Sequence, residues 1–210
     1  MAMISGQNGK FNDARPGCHA IVLCGGEGRR MGGRKELLEF NGEPLLLRLC
    51  RSLSGIAERI TVVADRKREY AFLPDGVRAI ADEVADFGPI AGICAGMRVS
   101  DLPLQLVVAC DYPLAGSFVW RALADTLARY PEADAVLPEA GGKLHPLCAL
   151  YRQRTIGAWA DAMASGNRRV MAATQRMRLV KWLPGDQAAD RLMNMNTPDD
   201  YRLAKERLRP

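Results

Sequence analysis

The chain has 210 residues and a net charge of +5, with 48% apolar and 25% charged residues. That balance excludes a disordered chain and fits one domain with a proper core. There is no block of five like charges and no apolar stretch near the roughly 20 residues that cross a bilayer, so neither nucleic acid nor membrane is an expected partner.

Met1 to Gly17 is polar and Gly-rich and lacks the apolar centre of a signal peptide. It is expected to be a flexible leader before a single domain over residues 18–210. The six cysteines, Cys18, Cys24, Cys50, Cys94, Cys110 and Cys148, include no pair at metal or redox spacing. Reduced thiols and a cytoplasmic location are expected. His19 and His145 are too few for a histidine metal cluster.

Ala20 to Leu23 reads as a short buried strand. It runs into Leu23-Cys24-Gly25-Gly26-Glu27-Gly28-Arg29-Arg30-Met31-Gly32-Gly33-Arg34-Lys35. Glycines let backbone N–H groups close around phosphate oxygens, and Arg29, Arg30 and Lys35 supply compensating charge. A P-loop would need Ser or Thr after the lysine, but Glu36 follows. A dinucleotide fingerprint would need a third glycine where Met31 stands. On glycine spacing alone, a solvated surface loop remains an alternative.

Leu37 to Phe40 is strand-like, and Asn41-Gly42-Glu43-Pro44 is a turn. Pro44 fits the first turn of a helix to about Leu53, whose apolar residues Leu45, Leu46, Leu49, Cys50 and Leu53 fall at helical spacing. Strands follow at Ile60 to Ala64 and Val77 to Ala81. Gly88-Pro89 opens a helix to Arg98. Leu104 to Cys110 is the most apolar run and reads as a central strand buried on both faces. Ser117 is a candidate N-cap for a helix to about Arg129. Strands at Ala133 to Leu137 and Leu147 to Tyr151 come next. Helices are expected at Thr155 to Ser165, Arg168 to Gln175 and Pro198 to Leu208, with an edge strand at Leu179 to Leu183. This alternation predicts an α/β fold, a mostly parallel sheet with helices on both faces.

In such sheets ligands bind beyond the carboxyl ends of the strands, where the glycine loop and Asp111 both fall. A carboxylate after an apolar strand is costly without a partner, and magnesium takes one or two carboxylates plus phosphate oxygens and water. A turn carboxylate is the alternative for Asp111. Asp82 ends the Val77 strand, where it reads either as a base or ribose contact or as a turn residue. In Asn194-Met195-Asn196-Thr197-Pro198, Asn196 or Thr197 can cap the last helix. Two asparagines at alternate positions leave one to face a ligand. Asn167-Arg168-Arg169 opens a helix where an anion could dock, or is simply a solvated helix start.

Taken together, these segments resemble the molybdenum cofactor guanylyltransferases, the MobA family of nucleotidyltransferases. The resemblance rests on Leu23 to Gly26, Arg30-Met31-Gly32, Lys35, Leu37-Leu38 and Asn41-Gly42-Glu43-Pro44-Leu45. It continues through Gly88-Pro89-Ile90-Ala91-Gly92, Cys110-Asp111-Tyr112-Pro113, His145-Pro146, Arg168-Arg169-Val170-Met171 and Asn194 to Pro198. It spans about His19 to Leu208, in order. It implies a single-domain, Rossmann-like three-layer sandwich of the nucleotide-diphospho-sugar transferase type.

The implied reaction joins GMP from GTP to the terminal phosphate of molybdopterin cofactor, releasing pyrophosphate. Lys35, Arg30 and Asp111 would be catalytic, with Asp111 holding Mg²⁺. Leu23, Cys24, Gly25, Gly26, Lys35, Asp82 and Asp111 would bind the nucleotide, and Arg169, Asn194 and Asn196 the pterin half. A monomer is expected, in transient contact with cofactor-synthesis proteins and apo-molybdoenzymes. Two departures carry expectations. Arg34 stands where the family often has Asp, adding phosphate-binding charge, and Val63 replaces an Asn that contacts guanosine in some members. A cytidylyltransferase, a sugar-phosphate nucleotidyltransferase and a non-catalytic nucleotide-binding accessory protein are the rival readings.

Overall fold

The computed structural model describes residues 17–25, 34–64, 69–82, 84 and 87–208. Residues 1–16 of the expected leader, Gly26 and Arg30 lie outside the described residues. Chain order begins with β1 (Cys18–Cys24), a 3₁₀ turn (Lys35–Leu37), β2 (Glu39–Phe40), β3 (Glu43–Pro44), α1 (Leu45–Ser54), β4 (Arg59–Ala64), β5 (Arg78–Ala81) and α2 (Pro89–Arg98). It continues with β6 (Leu104–Ala109), α3 (Ser117–Ala128), β7 (Ala135–Ala140), β8 (Lys143–Leu144), β9 (Cys148–Arg152) and α4 (Ile156–Ala164). The last elements are α5 (Val170–Thr174), β10 (Leu179–Trp182), α6 (Asp186–Ala189) and α7 (Pro198–Arg207).

The main sheet runs β10-β7-β9-β6-β1-β4-β5, with β8 paired to β7. β1 is parallel to β4 and β6, β4 to β5, and β7 to β10. Only β9 runs against its neighbours β6 and β7 along this path. The expected mostly parallel sheet is therefore present, with one reversed strand. Every residue of β1 and of β6 is buried, as strands covered on both faces require.

Four local expectations change. Leu37 closes the 3₁₀ turn, because Leu37 N–H donates to the Arg34 carbonyl, so only Glu39–Phe40 is strand. Pro44 belongs to β3 and precedes α1. Ser117 is the first residue of α3 behind Gly116, and no side chain caps that helix. The helix expected from Arg168 shrinks to five residues beginning at Val170. The Asn41-Gly42 turn has both residues at positive φ, 51° and 81°, the primed geometry that matches strand twist in a tight hairpin.

α2 lies unusually close to β1. A Cβ on Gly96 would sit 2.5 Å from Ile21 Cγ2, and one on Gly92 would sit 3.0 Å from Leu23 Cδ2. Ile21 is wholly buried and β-branched, so it cannot swing away. Gly96→Ala is expected to destabilise by about 1–3 kcal/mol, because overpacking exceeds the gain of up to about 1 kcal/mol in helix propensity. Gly157→Ala in α4, with nothing within 4 Å of its added Cβ, is the control and should stabilise. Thermal melts of the two variants should shift in opposite directions.

A polar ladder crosses the core. Gln105 Nε2 donates to the Leu102 carbonyl at 2.7 Å, which turns Gln105 Oε1 toward His19 Nδ1 at 2.8 Å. His19 Nδ1 therefore carries the proton, and Nε2 accepts from Thr61 Oγ1 at 2.8 Å. Burial, opposed by the Gln105 bond, lowers the His19 pKa from 6.5 to about 4, with Arg59 adding to the lowering. The unfolded chain thus binds the extra proton first. Stability is complete above about pH 6.5 and falls as pH drops toward 4, with about 2 kcal/mol lost by pH 5 from this group. Melting temperatures between pH 7 and 5 should show this slope, and His19→Gln should flatten it.

Candidate active site

The parallel strands end along one edge. Cys24 of β1 stands opposite Ala64 of β4, Ala64 opposite Ala81 of β5, and Leu23 opposite Ala109 of β6. Gly25, Asp82 and Cys110-Asp111 all leave the sheet at this edge. Cys110 N–H donates to the Leu23 carbonyl at 3.0 Å, so the turn into Asp111 is pinned to the start of the glycine loop.

Lys35 reaches the same place from the 3₁₀ turn. Its Nζ donates to the Met195 carbonyl and to Asn196 Oδ1, both at 2.7 Å. Asn196 Nδ2 donates to Asn194 Oδ1 at 2.9 Å, and Met195 N–H donates to the Asp111 carbonyl at 2.8 Å. Three segments far apart in sequence thus meet as one cluster of Lys35, Asp111, Asn194 and Asn196. Burial raises the Asp111 pKa, while the Lys35 charge and an Asn194 hydrogen bond pull it back. Asp111 Oδ1 is buried and has no hydrogen-bond partner.

That orphaned oxygen is the test for a divalent metal. A buried carboxylate atom left without a protein donor is costly unless a cation meets it. No group of three or more His, Cys, Asp or Glu able to hold a metal occurs among the described residues. One carboxylate plus substrate phosphates suits a hard cation of the magnesium class and is a poor fit to a protein-caged metal.

Asp82 stands at the same edge, just after β5, where its Oδ1 accepts the Val84 N–H at 3.1 Å. Arg169 immediately precedes α5 and its N–H donates to Asn167 Oδ1 at 3.0 Å. The bonds that build the Lys35–Asn196 cluster include neither. The neighbouring Arg168 stacks on Phe87, 5.5 Å from the ring centre, just before α2. Val63 is buried at the end of β4, and its Cγ1 lies beneath Gly92 of α2. Arg34 is engaged by Glu36 at 2.8 Å, so its charge is compensated and does not simply add to the phosphate loop.

Sequence reasoning missed several supporting groups. Asp200 Oδ2 accepts the N–H groups of both Asn196 and Thr197 at 2.8 Å, and Asp200 N–H donates to Thr197 Oγ1 at 3.1 Å. This capping box sets the backbone that presents Asn194 and Asn196. Its signal was the Thr197-x-x-Asp200 spacing. Tyr112 OH lies 3.2 Å from His145 Nδ1 with the rings edge to face, which brings the His145-Pro146 segment beside Asp111.

A lysine and a carboxylate converging at the carboxyl edge of such a sheet define an α/β protein that handles phosphorylated nucleotides. A family model described as the MobA-like NTP transferase domain matches residues 20–179, and the chain belongs to that family. A Pseudomonas putida protein named molybdenum cofactor guanylyltransferase is 35% identical over 191 residues, covering 89% of this chain and 97% of the relative. The crystal structure of molybdopterin-guanine dinucleotide biosynthesis protein A from Archaeoglobus fulgidus has a TM-score of 0.74 at 25% identity, over 90% of this chain and 97% of that one. The 2-C-methyl-D-erythritol 4-phosphate cytidylyltransferase of Thermus thermophilus shares the fold, with a TM-score of 0.68 at 15% identity over 93% of this chain and 100% of that one. No helix among the described residues is long and apolar enough to cross a membrane.

Proposed function

We propose that the chain transfers GMP from GTP to the terminal phosphate of molybdopterin cofactor, giving molybdopterin guanine dinucleotide and pyrophosphate. The observation that carries this reading is the convergence of Lys35, Asp111 and the Asn194–Asn196 segment, which ties the carboxyl edge of the sheet to the segment before α7. An acceptor phosphate oxygen forms a new bond to the GTP α-phosphorus, and the bond to the bridging oxygen of pyrophosphate breaks. The acceptor is already ionised at neutral pH, so no side-chain nucleophile or strong base is required. Alignment and charge neutralisation carry the rate.

In this reading the ammonium of Lys35 keeps two donors on Met195 and Asn196 and offers its third to a phosphate oxygen. Asp111, whose Oδ1 has no protein partner, would hold Mg²⁺, which when bound would neutralise charge at the phosphates. Leu23, Cys24, Gly25 and Gly26 hold guanosine by backbone groups, with Asp82 at base or ribose. Arg30 neutralises the leaving pyrophosphate. Asn194, Asn196 and Arg169 face the pterin half. A cytoplasmic monomer that passes its product on by transient contact completes the reading.

The test is pyrophosphate release with Mg²⁺ and molybdopterin cofactor, with GTP and CTP supplied in parallel. Release with GTP alone is expected. Release with CTP alone moves the chain to the cytidylyl branch, and silence with both, alongside tight GTP binding, favours an accessory role.

A further inference from the structure

Two cations sit side by side in Arg34-Lys35, and the fold sends them apart. Lys35 reaches toward Met195 and Asn196. Arg34 turns the other way, with Nε donating to Glu36 Oε1 at 2.8 Å and its guanidinium carbon 5.0 Å from the centre of the Tyr70 ring. Tyr70 OH donates to the same Glu36 oxygen at 3.2 Å. Tyr70 comes from the connection between β4 and β5 and packs edge-on to Phe72. Glu36 is 2% exposed and Tyr70 is 7% exposed. A carboxylate buried this deeply needs charge-bearing partners, and removing one leaves an uncompensated charge.

The cluster adjoins the site through Lys35, the residue between Arg34 and Glu36, whose Nζ is bonded to Met195 and Asn196. A second loose cation next to Lys35 would compete for the same phosphate oxygens. In a reaction governed by alignment, a misdirected charge costs more than an added charge supplies. An arginine is suited to capture because its planar group can bond a carboxylate and stack on an aromatic face together.

We propose that Glu36 is a positioning residue for nucleotidyl transfer: with Tyr70 it captures the Arg34 guanidinium, leaving Lys35 as the cation this segment presents to the triphosphate. The proposal rests on reading the edge as a GTP site.

The experiment compares Glu36→Gln, Tyr70→Phe, Arg34→Met and the double variant Arg34→Met/Glu36→Gln. Each is measured for kcat, for KM toward GTP and acceptor, for the GTP dissociation constant and for melting temperature. Glu36→Gln should lower kcat/KM for GTP about tenfold, a fraction of what full misplacement costs, with the acceptor KM unchanged. Tyr70→Phe should show a smaller loss of the same kind. Arg34→Met should stay within about threefold of wild type, and the double variant should recover toward it, since the freed guanidinium is gone. A folded Glu36→Gln protein with unaltered GTP parameters overturns the proposal. So does a double variant no better than Glu36→Gln, the pattern of a purely structural carboxylate. If the wild type releases no pyrophosphate, the GTP-transfer reading fails, and the same rescue pattern in GTP dissociation constants decides the Glu36 proposal separately.

Discussion

Asp111→Asn is expected to cut pyrophosphate release about a thousandfold, the several kcal/mol that a metal's charge stabilisation is worth in such a step. The same variant should melt no lower than wild type, and by the following argument slightly higher. Burial raises the Asp111 carboxyl above its ordinary pKa, so folding at neutral pH works against desolvation of a charge. The sign follows from linkage: the folded state holds the proton more tightly, so this group's contribution to stability declines as pH rises past the unfolded value of 3.8. The amide has no charge to desolvate and can still meet Asn194. A loss of activity together with retained or improved stability marks a group kept for chemistry at the expense of the fold. Turnover within a few-fold of wild type would sink the metal assignment, and a large fall in melting temperature would mark Asp111 as structural.

How much of this site the sequence carried depends on the distance over which each signal acts. β1, β4 and β6 were legible because strands buried on both faces are written as continuous apolar runs. Their ends located Gly25 and Asp111, since ligand edges follow from strand direction. The hairpin turn was legible at Asn41-Gly42, but β8 was not, being two residues long and defined only by its pairing with β7. The reversed direction of β9 was also unreadable, because an apolar run carries no sign of its orientation. Lys35 could be picked out, but its grip on Asn196 spans 161 residues and no local pattern encodes it. Glu36 carries no local signal for the same reason, since Tyr70 lies 34 residues away. Val63 reads as the loss of one guanosine contact, and its apolar side chain is packed against Gly92 of α2.

Lys35→Met should lower kcat/KM for GTP by about 10²–10³, the range found when one preorganised donor to a developing anion is removed. Its distinguishing feature is a second effect. The ammonium is bonded to the Met195 carbonyl and Asn196 Oδ1, so its removal takes one anchor from the segment that also carries Asn194, leaving the Met195 N–H bond to the Asp111 carbonyl and the Asp200 cap. The acceptor KM should therefore rise along with the GTP defect. Lys35→Arg should recover little, because a planar fork cannot replace a tetrahedral ammonium that meets a carbonyl, an amide oxygen and a phosphate from one point. Asn196→Ala should raise the acceptor KM with a smaller effect on GTP, since the Asp200 carboxylate still holds the backbone of that turn. If Lys35 links the two halves, the acceptor-KM effects of Lys35→Met and Asn196→Ala should fall well short of additive in the double variant. Additive effects would mean that the two side chains act on their substrates independently and that the bond between them carries no function.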